Sequence, residues 1–450
     1  MKIYGSAIKI LIIISLLMLL ILPGCTSNND IPDPETNTPK IINMYVRSYD
    51  TRTLSAIKEF NSTSKVQIHT SVINTDEIST SEYKNKLTTS ILAGEGPDII
   101  LDLVSSFPSL NKIVENKVFC VLDQYVNNDE HFNLSDYYNK VLDCGITNGQ
   151  RYYIPLNFRI PILWSSKSLT GKNNIIIDES KWTFKDLIKI QSEHFQTAEK
   201  YLIVTDFNSI METSWSDFIN ISQKKANFDN KNFIQLLEDY KTISPSILNY
   251  HTLKVPELFF EYMKKDSLLL AFGDIFPESV WVDSTAVNKI LNSEVQLFLY
   301  PGIDGDNQPA GLVEEFVVVN NSCKYKTEAY NFIKLLLSEK FQALDGNLWL
   351  PVNKNAYNTI LEKYCGETGT DRTIFNYMSI NDPPYTSVPL SEKLICQLDN
   401  YIDNMDNCYY VDENILIMIS EEADLFLQRK QTSSQTAKAI NNKINLYLGE

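Results

Sequence analysis

The chain has 450 residues, of which 44% are hydrophobic and 21% charged, so it folds, as one large or two ordinary domains. Its 40 Lys and Arg against 56 Asp and Glu give a net charge of −16, which repels nucleic acids and anionic lipid headgroups. The four histidines are widely separated in sequence, so a metal site has no local support, and we expect neither metal nor cofactor.

The first 25 residues are typical of an export signal. Two lysines precede an apolar run over residues 10–22, shorter than the ~20 residues that a membrane-spanning helix needs. The run ends in Leu-Pro-Gly-Cys, which resembles a bacterial lipobox and implies cleavage before Cys25 and lipidation of its thiol. Pro23 departs from the usual lipobox residue, so cleavage by another peptidase and an uncleaved anchor helix remain alternatives.

Residues 1–24 are therefore predicted to be a lipoprotein signal peptide, and residues 25–40 a flexible tether rich in Ser, Asn, Asp, Thr and Pro. A lipid-anchored tether places the folded part on the extracellular face of the cell membrane, and its length suggests a Gram-positive bacterium. The other six cysteines allow 15 pairings, among which the sequence does not choose. They are Cys120, Cys144, Cys323, Cys365, Cys396 and Cys408.

Strand and helix patterns alternate at the start of the folded part. Apolar residues alternate with polar ones over residues 42–46 and 66–72, as in half-buried strands, and recur at helical spacing over 54–60. A polar helix-like stretch over 80–93 precedes the apolar strand 99–101. This β-α-β-α-β order predicts a parallel sheet covered by helices, with ligands at the carboxyl ends of its strands.

A second α/β unit is predicted after Trp164. A helix starts near Trp182, residues 201–204 form a strand, and the apolar run 268–272 reads as a buried strand that ends at Gly273. The remaining chain is largely helical, with apolar faces near residues 329–337 and 437–447. Two lobes follow from this arrangement.

Several segments, in this sequence order, resemble the family 1 extracellular solute-binding proteins, the sugar-binding lipoproteins of ABC importers. A departure occurs at Ser165 and Ser166, where the family usually has Tyr and Asn. The segments that carry the resemblance are ILAGEGPDII (91–100), GQRYYIPL (149–156), LWSSK (163–167), KWTF (181–184), FGD (272–274), YPG (300–302), the strand and helix over 315–336, and LPV (350–352).

The resemblance implies an α/β, two-lobed periplasmic-binding-protein-like (type II) fold with a ligand cleft between the lobes and a hinge. Lobe 1 is expected over residues 41–160 plus 303–345, and lobe 2 over 161–302 plus 346–450, with crossings near 154–161 and 299–305. The implied function is to capture a carbohydrate, most simply an oligosaccharide, by hinge closure and to deliver it to an ABC permease. The protein would act as a monomer.

A sugar site combines aromatic rings for stacking with polar groups that bind hydroxyls. We predict three stacking rings, each with core packing as the alternative: Trp215, Trp281 and Trp349. Four polar contacts are predicted, each with a helix cap or a surface charge as the alternative: Asp50, Asn157, Arg159 and Asp274. Glu314 and Glu315 are weaker candidates, and Trp164 and Trp182 are expected to serve packing.

Other functions stay open. The chain lacks the H-E-x-x-H, G-x-S-x-G and P-loop motifs, so we expect no enzyme. The same fold could bind a peptide, a polyamine or a phosphorylated compound, or serve a sensor or scaffold without transport. Arg159 favours an anion, whereas Asp50 and Asp274 favour hydroxyls or cations, and the sequence leaves this tension unresolved.

Overall fold

A computed structural model describes residues 40–47, 50–71, 80–105, 107, 110–197, 200–248, 258–346, 349–369, 373–374 and 385–449. The chain divides into two units, Met1–Pro39 and Lys40–Glu450, and all the elements below belong to the second. The predicted signal peptide, Cys25 and nearly all of the tether lie outside the described residues. Within the described ranges, no helix combines the length and apolar character needed to cross a membrane.

The strands are β1 (Lys40–Val46), β2 (Val66–Ser71), β3 (Ile99–Leu103), β4 (Ile146–Thr147), β5 (Gln150–Arg151), β6 (Ile154–Pro155), β7 (Asn157–Arg159), β8 (Pro161–Ser166), β9 (Tyr201–Val204), β10 (Ile219–Asn220), β11 (Lys225–Ala226), β12 (Ile247–Leu248), β13 (Leu268–Asp274), β14 (Val295–Leu299), β15 (Ala310–Val313), β16 (Glu315–Val319), β17 (Leu350–Pro351), β18 (Thr373–Ile374), β19 (Tyr385–Thr386) and β20 (Asn407–Tyr409).

The helices are α1 (Thr51–Thr63), α2 (Thr80–Leu92), α3 (Leu110–Glu115), α4 (Asp123–Asn127), α5 (Asn139–Leu142), α6 (Lys167–Lys172), α7 (Phe184–His194), α8 (Phe207–Thr213), α9 (Trp215–Phe218), α10 (Lys231–Ile243), α11 (Leu258–Lys264), α12 (Pro277–Leu291), α13 (Lys326–Leu336), α14 (Glu339–Gln342), α15 (Lys354–Glu362), α16 (Glu392–Asp403), α17 (Glu413–Leu427) and α18 (Ser433–Gly449).

The first sheet has the strand order β2-β1-β3-β16-β6. Strand β1 runs parallel to β2 and β3, while β16 is antiparallel to β3. The alternating residues Ile42, Met44 and Val46 are completely buried, because this face of β1 packs into the core. The parallel β-α-β-α-β unit predicted from the sequence is confirmed.

The second sheet has the order β12-β9-β13-β8-β14. Strands β9, β12 and β13 are parallel, and β8 runs antiparallel to β13 and β14. Trp164 and Trp182 are buried, and their indole N–H groups donate to Phe272 O (3.1 Å) and Leu299 O (3.0 Å). Both tryptophans therefore serve packing, as predicted.

A third, four-stranded sheet of order β17-β7-β15-β20 lies where the chain passes between the two larger sheets. The chain leaves the first sheet at β6, runs through β7 and enters the second at β8. It leaves the second sheet at Leu299, where β14 ends and where the second crossing was expected to begin, and returns through β15 to β16. The two-lobed α/β architecture follows from these sheets, and the lobe boundaries stay a prediction.

Candidate functional site

The chain crosses between the two lobes at the third sheet, and we call this region the passage. The carboxyl ends of strands from both large sheets lie there. Strand β1 ends just before Asp50, and β13 ends at Asp274. Strand β7 contributes Asn157 and Arg159, which lie two residues apart and therefore on one face of the strand. Strand ends of this kind are where α/β folds bind ligands.

Arg159 forms the first polar group, which we name the Arg159 cluster with Glu212, Asp274 and Glu314. Its Nη2 lies 2.6 Å from Glu212 Oε2, its Nη1 3.2 Å from Asp274 Oδ1, and its Nε 2.5 Å from Glu314 Oε1. Glu212 comes from α8, after β9, and Glu314 from the β15–β16 junction. One guanidinium thus joins acids from the second lobe to the returning chain.

The electrostatics of this cluster follow from burial. Burial raises the pKa of Glu212 and of Glu314, and the positive charge of Arg159 offsets part of that increase. Burial lowers the pKa of Arg159, but the nearby Asp274, Glu212 and Glu314 outweigh it and hold that pKa well above its ordinary value. Arg159 is therefore permanently charged.

Arg52 organises a second polar group, the Arg52 cluster, with Asp50, Asn157 and Glu315. Its Nη2 lies 2.5 Å from Glu315 Oε2, which also accepts a 2.6 Å hydrogen bond from Asn157 Nδ2. Asp50 Oδ2 lies 3.8 Å from the same guanidinium. Arg52 is 6% exposed, and its Nε and Nη1 are buried without a hydrogen-bond partner.

Buried hydrogen-bond donors without an acceptor, such as Nε and Nη1 of Arg52, lower the stability of the fold. Leaving a buried donor without an acceptor costs about 1–3 kcal/mol, and more when the group is charged. The Arg52 fork has two such donors, beside a carboxylate and an amide that already pair with each other. An acceptor oxygen brought to this point would remove that penalty.

The two clusters are continuous with each other. Glu314 and Glu315 are adjacent, and their backbone N–H groups donate to Asn157 O (3.3 Å) and Asn157 Oδ1 (2.9 Å). Neither glutamate is a free surface acid, since their side chains are only 13% and 14% exposed. Together, two guanidinium groups face five carboxylates across the passage, an excess of three negative charges when all are ionised.

The predicted polar residues are brought together. Asn157, Arg159 and Asp274 all belong to the two clusters. Asp50 does too, and it also caps α1, since its Oδ1 accepts from the Thr53 N–H at 2.7 Å. Their ligand roles stay predictions, and the helix-cap alternative for Asp50 is confirmed.

The predicted aromatic residues do not share one place. Trp215 is 1% exposed, and Trp281 is 5% exposed with its ring centre 5.0 Å from that of Tyr364. Rings packed this deeply have no free face, so the expectation that Trp215 and Trp281 stack on a ligand is corrected to core packing. Trp349 is half-buried and directly precedes β17, in which Leu350 pairs with Phe158.

Sequence reasoning missed Arg52, Glu212 and Tyr409. The Tyr409 hydroxyl donates to Glu212 O at 2.9 Å, which fixes the end of α8 beside the Arg159 cluster. Only Arg52 carried a local signal, because a cation in the first turn of a helix opposes the helix dipole and needs a separate reason. Glu212 and Tyr409 gave none.

An acidic cleft of about 180 Å³ lies near the passage, lined in part by Asp217, Asp304, Asp306 and Tyr409. Burial, with the charge of Asp304, raises the pKa of Asp217 to about 6. In the part of the chain that the structure describes, no three His, Cys, Asp or Glu side chains are arranged to hold a metal ion.

A family model described as bacterial extracellular solute-binding protein matches residues 55–364, more than half of the chain. No match was found among curated protein sequences.

Solved structures with the same fold include three bacterial proteins. One is an ABC substrate-binding protein from Listeria monocytogenes in complex with cycloalternan (TM-score 0.61, 15% identity, 91% of this chain and 99% of that one). Another is the sugar-binding protein MalE from Xanthomonas citri (0.63, 12%, 91% and 98%). The third is a family 1 extracellular solute-binding protein from Alicyclobacillus acidocaldarius (0.59, 15%, 91% and 98%). At these identities the likeness establishes the fold.

Proposed function

The chain belongs to the bacterial extracellular solute-binding protein family, and from this premise we propose that it captures a neutral carbohydrate, most simply an oligosaccharide, between its lobes. It then delivers the sugar to the permease of an ABC importer and performs no chemistry itself. Structural neighbours described as sugar-binding or as complexes with cycloalternan and acarbose support this substrate class. We further propose lipidation at Cys25 and an extracellular, membrane-anchored location.

The observation that carries the proposal is the pair of idle donors on Arg52 beside the carboxylate-rich passage. A sugar hydroxyl both donates and accepts, so one hydroxyl can accept from a guanidinium and donate to a carboxylate. Polyhydroxylated ligands therefore satisfy both halves of such a site. Asp50, Asn157, Arg159 and Asp274 are kept as proposed contacts, and Arg52 is added.

Charge separates the competing ligand classes. Arg159 is already surrounded by three acids, so it has no positive field left to attract a phosphate or a carboxylate. The excess of negative charge across both clusters opposes an anionic ligand and tolerates a neutral or cationic one. This charge balance supports hydroxyls as the ligand groups, with a polyamine as the second candidate because it would neutralise the same carboxylates.

Trp349 is the aromatic residue that we retain for stacking. It is half-buried and adjoins β17, and continuing the antiparallel register by one residue from the Leu350–Phe158 pair would bring it level with Arg159. A ring beside hydrogen-bonding groups is the combination that sugars require, because their C–H faces are apolar and their rims polar.

Lobe closure would occur about the strands of the third sheet. Strands β7 and β15 are antiparallel neighbours, so small backbone changes there rotate one large sheet against the other. Ligand contacts made from both lobes favour the closed state, and the permease recognises that state.

A titration of the full-length protein with matched solutes tests the proposal. Neutral oligosaccharides should raise its melting temperature in a dose-dependent way, since the ligand binds only the native state. A uronic-acid analogue of equal length should bind at least about tenfold more weakly, a difference of about 1.4 kcal/mol.

Other outcomes of this titration would support a different ligand or a different function. A response to polyamines alone would favour the second candidate, and tighter binding of the acidic analogue would refute the charge argument. No response to any sugar, peptide, polyamine or phosphorylated compound would favour a sensor or scaffold without transport.

A further inference from the structure

Two cysteines far apart in sequence meet beside the third sheet. Cys144 lies in the turn Asp143–Gly145 that follows α5, and Cys408 lies in β20. The two thiols are brought close together: Cys144 Sγ donates to Lys140 O at 3.5 Å, the Lys140 side chain reaches the backbone three residues before Cys408, and both thiols interact electrostatically with each other and with the buried Tyr153. Both cysteines are half-buried free thiols.

Independent contacts hold the two segments together. Helix α5 packs against β20, and Lys140 Nζ donates to Met405 O at 2.7 Å. In the neighbouring strand β15, Gly311 lies opposite Cys408, and a Cβ at Gly311 would lie 3.1 Å from Cys408 Sγ and would clash with Met405 Sδ. Glycine at this position leaves the Cys408 side chain the room that it occupies.

The other described cysteines lack this combination. Cys120 and Cys323 are buried, Cys396 is exposed on α16, and the half-buried Cys365 donates its thiol to Leu361 O at 3.1 Å. Half-buried neighbouring thiols are accessible to a small oxidant and close enough for one to react after the other.

We propose that Cys144 and Cys408 form a disulfide bond in the mature protein. The two thiols lose two protons and two electrons, an S–S bond forms, and a disulfide oxidant is reduced to two thiols. The proposal depends on the proposed function only for the oxidising extracellular compartment, where disulfides persist.

The bond forms in two exchange steps. One thiolate attacks the disulfide oxidant and forms a mixed disulfide with it, and the other thiolate then displaces the oxidant's leaving thiol.

The bond would tie the first lobe to the third sheet. Strand β20 pairs with β15, the strand through which the chain returns to the first sheet, so the link fixes one side of the passage. It also closes a very long loop, which restricts the unfolded chain. Reduction should therefore lower the melting temperature without removing the ligand-binding groups.

Peptide mapping tests the proposal directly. The full-length protein is incubated with oxidised glutathione, alkylated with iodoacetamide and digested without reduction. We expect a linked pair of peptides carrying Cys144 and Cys408, with a mass about 2 Da below their sum. Alkylation of both thiols, or a Cys120–Cys323 link in its place, would overturn the proposal.

Variants connect the bond to stability. Reduction should lower the melting temperature of the wild type and of C396S, the matched control, but should leave C144S and C408S unchanged. An equal effect of reduction on C144S and the wild type would contradict the assignment. Sugar binding is measured separately, so a failure of the proposed ligand leaves the mapping result intact.

Discussion

Replacing Arg52 by lysine is the sharpest test of the proposed sugar site. Lysine keeps one positive charge for Glu315 but loses the planar fork, and with it the two donors Nε and Nη1 that have no partner in the structure. If a ligand oxygen accepts from those donors, Arg52→Lys removes two charge-assisted hydrogen bonds and leaves the ion pair.

The magnitude follows from the number of donors. A hydrogen bond to a charged group contributes about 1.5–3 kcal/mol, so two bonds contribute about 3 kcal/mol at the lower limit. That difference corresponds to a loss of about 100-fold in sugar affinity. Arg52→Ala is the poorer test, because it leaves Glu315 without its ion-pair partner and costs about 3–5 kcal/mol of stability.

The assay is isothermal titration of the folded variant with the best neutral sugar from the ligand screen. Arg429→Lys, which alters an exposed arginine beyond α17, is the matched control and should bind like the wild type. Unchanged sugar affinity in a folded Arg52→Lys protein would refute the reasoning that joins the idle donors to the ligand.

Three further outcomes are expected. Cys25→Ser should release the protein from the membrane fraction in cell fractionation, and retention would indicate an uncleaved helix. Trp349→Ala should weaken sugar binding by about tenfold in titration and leave the melting temperature nearly unchanged. Trp215→Ala should instead lower the free energy of unfolding by about 3–5 kcal/mol in denaturant unfolding. The reverse pattern would exchange the roles of the two tryptophans. Burial raises the pKa of Asp283 to about 7, so its folded form holds a proton that the unfolded form releases, and this contribution to stability is lost as pH rises from about 4 to 7. Asp283→Asn should flatten that decline in unfolding measured across this pH range, and an unchanged slope would show that Asp283 is not its source.

Much of the fold was readable from local patterns. Local patterns predicted β1 from the alternation at 42–46, α1 from the helical spacing at 54–60 and β3 from the apolar run at 99–101. They also predicted that β1 and β3 are parallel, because hydrophobic period and turn residues are local properties of the sequence. The cap at Asp50 was also local, since a side chain three residues from its target needs no tertiary contact.

The candidate site was only partly accessible in this way. Motif order pointed to Asn157, Arg159 and Asp274, but nothing near Glu212 in sequence indicated its pairing with Arg159. Burial decided among the tryptophans, because whether a ring faces the core or the passage depends on which elements pack over it.

The sequence by itself determined the class of this protein, through its alternating strands and helices and the ordered motifs of a solute-binding family. The tertiary structure alone decided which charges neutralise one another, that two Arg52 donors have no acceptor, and that the segments of Cys144 and Cys408 pack together. The physical reason is distance. Arg52 and Glu315 are 263 positions apart in the chain yet 2.5 Å apart in space, and only folding sets the separations on which charge, burial and hydrogen bonding depend.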